Sequence, residues 1–384
     1  MDNLFFTDEH IMIRDMVREF ADSEITPVAR GLDEQGEFPA ALVNKMGELG
    51  LMGILIPKEY GGSGLDMVAF ATAIIELARA DASVAITMAA HTSLGSLPIL
   101  MFGSDEQKNT YLPKLATGEM LGAFGLTEPD AGSDAGATKT KAVRDGDEYV
   151  VNGGKIFITN AGKAGVLSFT SQVIENGKNM GIAAFSISTN TPGLEIGPKE
   201  KKMGWRASDT RQLFFKDMRI QATSILGTPA NGFKTFLKTL TSGRVSIGAL
   251  SIGTALGAYE RALAYSTERI AFGKPINNFQ SVGFKLADMA TKIEASKLLV
   301  FHAAWMKDQG LDITKQAAMA KLFASETAME VTTEAIQIHG GYGYVKEYDV
   351  ERFFRDAKIL EIGEGTSEIQ RLIISREILK EIQI

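Results

Sequence analysis

Apolar residues recur at helical spacing through the first third of the chain. Ile11, Met16, Val17 and Phe20 form one such stripe, which Pro27 ends, and Leu42, Val43, Met46 and Leu49 form a second ahead of Gly50. A loop with Gly61, Gly62 and Gly64 follows, after which the period resumes over 67–79, 81–94 and 105–115. Beyond Gly118 the pattern shortens to β-branched and aromatic runs, with strands predicted at Tyr149–Val151, Lys155–Thr159, Val166–Ser171, Ile182–Ile187 and Gln212–Met218. Asp145-Gly146, Asn152-Gly153 and Asn176-Gly177 are tight-turn dipeptides and are expected between strands. Past Asn231-Gly232 long helical periods return over 233–270, 282–309, 314–338 and 367–382, with short connections that suit an antiparallel bundle. The pattern therefore predicts a mainly helical α+β chain in three parts: an N-terminal helical domain (1–118), a middle β domain (119–230) and a C-terminal four-helix bundle (231–384). Small residues crowd Gly243–Gly257, which predicts close helix packing and suits a subunit contact.

Composition narrows the chemistry. With 384 residues, 45% of them hydrophobic, the chain can bury a large core, and a net charge of -7 argues against a nucleic-acid binder. No cysteine is present, which excludes disulfides, thiolate metal sites and a thiol nucleophile. The four histidines, His10, His91, His302 and His339, are too scattered for a metal site. The start Met1-Asp2-Asn3 is not a basic leader, and no run of about 18 apolar residues suggests a membrane span, so a soluble cytoplasmic protein is expected.

Candidate chemistry centres on Glu364, which stands between Gly363 and Gly365 and just ahead of Thr366-Ser367. The glycines allow a backbone close to a ligand, and Thr366 or Ser367 suits the N-cap of the last helix. A carboxylate there becomes a proton acceptor if a ligand walls it in; an ordinary turn before a surface helix is the alternative. The stretch Gly122–Asp134, rich in hydroxyl and small residues, suits a backbone wrapped on a polar ligand or a well-capped interdomain loop. Phe157 and Thr159 share one strand face by period two and could meet a planar cofactor, or serve as core phenylalanine and surface threonine. Glu268–Lys274 offers two cations, and Gln337–Gly343 offers a glycine cluster after a helix; either could meet a pyrophosphate or simply close a helix. Neither a GxGxxG nor a GxxxxGK[ST] motif occurs.

Taken in order, Leu126-Thr-Glu-Pro-Asp-Ala-Gly-Ser-Asp134, Lys155-Ile-Phe-Ile-Thr-Asn160, Arg269-Ile-Ala-Phe-Gly-Lys274 with Phe279-Gln280, Gln337-Ile-His-Gly-Gly-Tyr-Gly343, Arg355-Asp-Ala-Lys358 and Glu364-Gly-Thr-Ser-Glu-Ile-Gln370 resemble the acyl-CoA dehydrogenase family over essentially the whole chain. The resemblance implies FAD lying between the β domain and the bundle, flanked by Phe124, Leu126, Thr127, Ser133, Phe157 and Thr159. Phe157 stands where the family often has tryptophan. Arg269, Phe272, Gln280 and Gln337, Ile338, His339, Gly340, Gly341 match the adenine-side half of the cofactor, partly from a neighbouring subunit. Thr366 and Glu368 match a further FAD contact.

The resemblance also implies that Glu364, in a catalytic loop, takes the pro-R α-proton of an acyl-CoA thioester while the β-hydrogen leaves as hydride to flavin N5, giving a trans-2-enoyl-CoA. Some members place the base at the position of Gly243, where a glycine cannot act. Ser133, Thr241, Ser242, Gly243, Arg244, Gly363 and Gly365 match substrate-side positions, although Thr241 replaces a usual aspartate and Gly363 a frequent tyrosine. Room beside Gly363 suits a branched acyl group, as in the isovaleryl-CoA branch; a glycine serving only the turn, with a short straight chain preferred, is the alternative. The implied setting is a homotetramer that passes electrons to electron-transferring flavoprotein, in fatty acid metabolism or branched-chain amino acid catabolism. An oxidase-like relative using oxygen and a non-enzymatic flavin-binding assembly protein are the competing readings.

Overall fold

The computed structural model describes residues 2–228 and 232–382; the expected domain boundary at 230–231 and the Asn231 turn lie outside the described residues. The first part is helical: α1 (Asp2–Phe5), α2 (Asp8–Phe20), α3 (Ala29–Gln35), α4 (Ala40–Glu48), α5 (Met67–Ala80), α6 (Ala82–Ala90), α7 (Leu97–Phe102) and α8 (Asp105–Thr117). Local chemistry sets several ends. Asp66 and Asp81 cap α5 and α6 by accepting from Ala69 and Val84 N–H groups, and Ser104 with Gln107 forms a reciprocal capping box on α8. Gly118 then closes α8 in the left-handed region, φ 75. Wide π turns at Ala21–Ile25 and His91–Ser96, which the apolar period did not foretell, extend α2 and join α6 to α7.

The middle part is a seven-stranded sheet: β1 (Leu121–Gly125), β2 (Lys141–Asp145), β3 (Glu148–Thr159), β4 (Ala164–Glu175), β5 (Lys178–Ser188), β6 (Leu194–Lys199) and β7 (Thr210–Gln221). The path runs β1-β4-β2-β3-β7-β6, with β5 also paired to β4. Asn152-Gly153 is not a turn. It lies inside β3, which runs unbroken through the two strands expected there. Gly153 (φ 141) instead sits at a register shift against β7, and a Cβ there would meet Thr140 Oγ1 at 2.6 Å, so the position needs glycine. Strand β1 was hidden because Gly122 must touch the backbone of Gly95, which a Cβ on Gly122 would approach within 2.7 Å, leaving little β-branched signal.

The last part comprises α9 (Gly232–Glu268), a two-residue hairpin of β8 (Ile270–Ala271) and β9 (Lys274–Pro275), α10 (Gln280–Asp308), α11 (Thr314–His339), α12 (Val350–Ala357) and α13 (Ser367–Ile382). The four long predicted helices are present; the short α12 is additional. Helix α5, buried on every side, packs against α9, so the two helical parts share one apolar core while the sheet keeps its own. The small residues of α9 serve this packing within the chain, and not a subunit contact: Cβ atoms at Gly248, Gly253 and Gly257 would meet Val300, Ile75 and Arg79 at 2.8, 2.4 and 2.4 Å. Ala82–Phe102 is long and apolar enough to cross a membrane by composition, but it is mostly buried, packed on α9 and β1.

Candidate active site

The loop ahead of α13 is built by short-range hydrogen bonds. Ile359 carbonyl accepts from the N–H groups of Ile362 and Gly363 at 3.0 and 2.8 Å, which curls the chain into the site. Thr366 Oγ1 accepts from Ile369 N–H at 3.3 Å, so Thr366 is the N-cap. Between these anchors Glu364 (φ 54) and Gly365 (φ 94) are consecutive left-handed residues, a conformation glycine tolerates and glutamate rarely adopts. Gly365 carbonyl is held by two donors, Lys321 Nζ at 2.7 Å from α11 and Gln370 Nε2 at 2.8 Å from α13.

This backbone aims the Glu364 carboxylate at α9. A Cβ on Gly243 would lie 2.1 Å from Glu364 Oε2 and 3.4 Å from Leu94, so the glycine makes room for the acid. Oε2 is sealed from solvent and has no hydrogen-bond partner. Burial pushes the Glu364 carboxyl up to about 7, against the pull of Lys321 and Arg244 in the other direction. Arg244 is buried beside it; Nη1 donates to Thr241 Oγ1 at 3.2 Å while Nε is unpartnered. Ser242 Oγ and Thr92 Oγ1 are likewise buried without partners. Such orphaned polar atoms cost free energy unless a ligand meets them. Gly363 has no left-handed φ, and a Cβ there would meet only Ile359, at 3.4 Å from its carbonyl oxygen. The turn itself therefore does not demand glycine.

Of the residues expected around a flavin, Phe124 stands on β1, Leu126 and Thr127 just after it, and Phe157 and Thr159 on β3. The Phe124 ring packs with Leu126 on Ala184 and Leu226, Thr127 carbonyl accepts from Ile156 N–H at 2.9 Å, and Leu126 carbonyl accepts from Lys155 Nζ at 3.1 Å. Phe157 is 63% exposed and held at φ 60, an aromatic face offered outward on a strained backbone, with Thr159 half-buried two residues on and Ser133 exposed. Thr366 is half-buried and Glu368 exposed at the start of α13.

The third set is elsewhere. Arg269, with its guanidinium over the Tyr342 ring, Ile338, His339, Gly340 and Gly341 line a cavity of about 500 Å³. Phe272, 95% exposed, Gln280 and Gln337 lie on the surface. Along α11 alone, Lys321 and His339 are 18 residues apart, roughly 27 Å at helical rise, so one chain does not bring this cavity to Glu364. His339 is partly structural: Nδ1 bonds Ala335 carbonyl and the ring stacks on Tyr265.

Two features escaped the sequence reading. Lys321 reads as a surface cation in an alanine-rich helix, yet it is fully buried at the Glu364 loop; its one sequence signal is its place among the buried Ala317, Ala320 and Ala324. Glu128 and Lys155 form a buried ion pair at 2.7 Å, completed by Thr138 and Thr170 hydroxyls, that fixes the Leu126–Glu128 turn. Chemically, a carboxylate with one sealed, partnerless oxygen, pushed up to about 7 by burial and with the Lys321 and Arg244 charges nearby, can take a proton from a bound weak carbon acid.

Three descriptions of one family match in register: acyl-CoA dehydrogenase N-terminal domain over 7–119, middle domain over 123–218 and C-terminal domain over 230–379. The chain is 53% identical to the probable acyl-CoA dehydrogenase YngJ of Bacillus subtilis, covering 98% of this chain and 100% of that one. It is 46% identical to the short-chain specific acyl-CoA dehydrogenase of Clostridium acetobutylicum, over 97% and 99%. Among solved structures, butyryl-CoA dehydrogenase of Megasphaera elsdenii superposes with TM-score 0.94 at 42% identity, over 97% of this chain and 98% of that one. A glutaryl-CoA dehydrogenase of Mycobacterium smegmatis in complex with FADH2 gives 0.93 at 32%, over 98% and 96%. A chain from work on the electron transferring flavoprotein of Acidaminococcus fermentans gives 0.95 at 45%, over 97% and 98%. Together with the fold and the buried carboxylate at the head of α13, these matches place the chain in the acyl-CoA dehydrogenase family of oxidoreductases.

Proposed function

We propose that the protein is an FAD-dependent acyl-CoA dehydrogenase acting on short or branched acyl groups, with Glu364 as its base. The observation that carries the reading is the geometry at Glu364: carboxylate Oε2 is sealed from solvent without a partner, beside room that Gly243 leaves on α9, and the residue is held on a left-handed backbone that only a function repays. An α-C–H is acidic enough only when its thioester carbonyl is polarised, and a backbone N–H of the loop that presents the carboxylate would serve as one such donor. The bond rearrangement is simple: Glu364 accepts the α-proton, the Cα–Cβ double bond forms, and the β-hydrogen leaves with its electron pair. FAD, when bound, supplies the two-electron acceptor.

Phe124, Leu126, Thr127, Ser133, Phe157, Thr159, Thr366 and Glu368 would hold the flavin end. Arg269, Phe272, Gln280 and Gln337–Gly341 would serve the adenine end of a neighbouring chain's cofactor, which the separation along α11 supports. Ser133, Thr241, Ser242, Gly243, Arg244, Gly363 and Gly365 form the substrate side. Phe157 keeps an apolar face for the flavin but cannot donate as an indole would. The proposal extends to a homotetramer in the cytoplasm that hands electrons to an electron-transferring flavoprotein. A scaffold role has no use for a buried unpaired carboxylate, which costs stability.

The test is an anaerobic titration of the purified flavoprotein with butyryl-, isobutyryl-, 2-methylbutyryl- and isovaleryl-CoA while the flavin spectrum is recorded. Bleaching by at least one of these, lost in Glu364→Gln, is the expected result. Full bleaching in Glu364→Gln at the wild-type rate would remove the base assignment, and no bleaching by any of the four would remove the substrate class.

A further inference from the structure

Burying an ammonium in an alanine stripe is costly, and Lys321 is fully buried between Ala317, Ala320 and Ala324. A carbonyl alone does not require it, because Gln370 Nε2 already donates to Gly365 at 2.8 Å. What distinguishes Lys321 is that its Nζ reaches the same carbonyl at 2.7 Å from a different helix, and that its charge falls beside the carboxylate of the preceding residue. We infer that Lys321 is the positioning residue of the proton-abstraction step: it pins the left-handed pair Glu364-Gly365 to α11 and supplies a fixed positive charge against which the base carboxylate forms.

The charged groups around Lys321 are Glu364 and Glu361 from the base loop, Glu368 from α13 and Arg244 from α9. Arg244 also faces Glu364, but it stands on α9, and its Nη1 donates to Thr241 of that same helix, not to the loop. Lys321 alone of the two cations holds both the loop's backbone and its charge. Burial draws Lys321 down to about 8 while it pushes Glu364 up to about 7, so between these values both members of the pair are charged. Below that window the base is protonated and the acyl-CoA α-proton has no acceptor.

The inference rests on Glu364 as base, and the experiment separates the two. The FAD-loaded enzyme is assayed with butyryl-CoA from pH 5.5 to 9, or with the best substrate of the panel above. Three variants are compared with the wild type: Lys321→Gln, which keeps a donor for Gly365 without the charge, Lys321→Met, which keeps neither, and Glu364→Gln. Losing one nearby cation should move the acidic limb of kcat/KM upward by about one pH unit in both lysine variants. Losing the anchor as well should lower the plateau kcat of Lys321→Met by a further factor of about 10 to 100, as expected for a misplaced reacting group. If Lys321→Met fails to retain FAD, the limb of Lys321→Gln decides. An unmoved limb in Lys321→Gln, with rates that fall only as FAD content or Tm falls, overturns the inference and leaves Lys321 structural. Turnover by Glu364→Gln at the wild-type rate would instead overturn the base assignment beneath it.

Discussion

At Glu364 the backbone and the side chain both run against folding: φ is 54, and a carboxylate oxygen is sealed without a partner. The second cost has a pH signature. The folded pKa of about 7 lies above the ordinary 4.5, so the native state retains a proton that the unfolded chain releases between those values. Stability from this group is therefore full below pH 4.5 and is lost as pH rises through 7. Glu364→Gln should be more stable than wild type above pH 7 by on the order of 1–3 kcal/mol and no different below pH 4.5, measured by denaturant unfolding at both pH values. The same change should cut the rate of flavin reduction by about two to four orders of magnitude. At Gly363 the structure leaves space that the turn does not need, since a Cβ would meet only Ile359. Gly363→Tyr should fold, and should lower kcat/KM for isovaleryl-CoA relative to butyryl-CoA by roughly ten- to two-hundred-fold. Butyryl-CoA leading by a wide margin in both proteins would show that the space does not select a branch.

Between elements, small groups and buried pairs set the tolerances. α9 lies so close to α5 that a methyl at Gly253 would stand 2.4 Å from Ile75 carbonyl oxygen, so Gly253→Ala must push two core helices apart. The expected cost is about 1–3 kcal/mol, read as a lower denaturation midpoint with an unchanged slope. In the sheet, Lys155→Met strands Glu128 in the turn that carries Leu126 and Thr127, both proposed flavin contacts. Removing one partner of such a buried pair typically costs about 3–5 kcal/mol, and here FAD retention should fall along with Tm. Loss of stability with full FAD retention would mean that this turn does not touch the cofactor.

For the whole molecule, the separation of the two candidate cofactor regions has an assembly consequence. The cavity at Arg269 and Gly340 is a long way down α11 from Glu364, and Phe272 stands 95% exposed beside it. An aromatic so exposed suits a contact with another copy. The protein should purify with one non-covalent FAD per chain and as an oligomer, and Arg269→Ala should lose FAD on dilution while the wild type keeps it. Size-exclusion chromatography with light scattering and flavin absorbance checks both; a colourless monomer that takes up no flavin would contradict the cofactor proposal.

The order of helices, sheet and helices was legible in the chain because it depends on local period: apolar spacing of three to four residues, then short β-branched runs, then spacing of three to four again. The proposed base was legible as a candidate too, since a glutamate between two glycines ahead of a hydroxyl N-cap is a local oddity, and Thr366 does cap α13. What local pattern cannot encode is which distant backbone a residue meets. Asn152-Gly153 looks like a turn, yet it is a register shift inside β3, with Thr140 packed where a Cβ of residue 153 would stand. Helix α12 is short and polar by composition, and it stands because Arg352 is buried against Asp81, a partner far back in the chain, at 2.6 Å. Gly243 became room for the carboxylate, and Lys321 became its neighbour, only when α9 and α11 were packed against the base loop. The sequence by itself determined the elements and the candidate reactive residue; the tertiary structure decided the environment, because burial and charge proximity are properties of packed helices and not of any one segment.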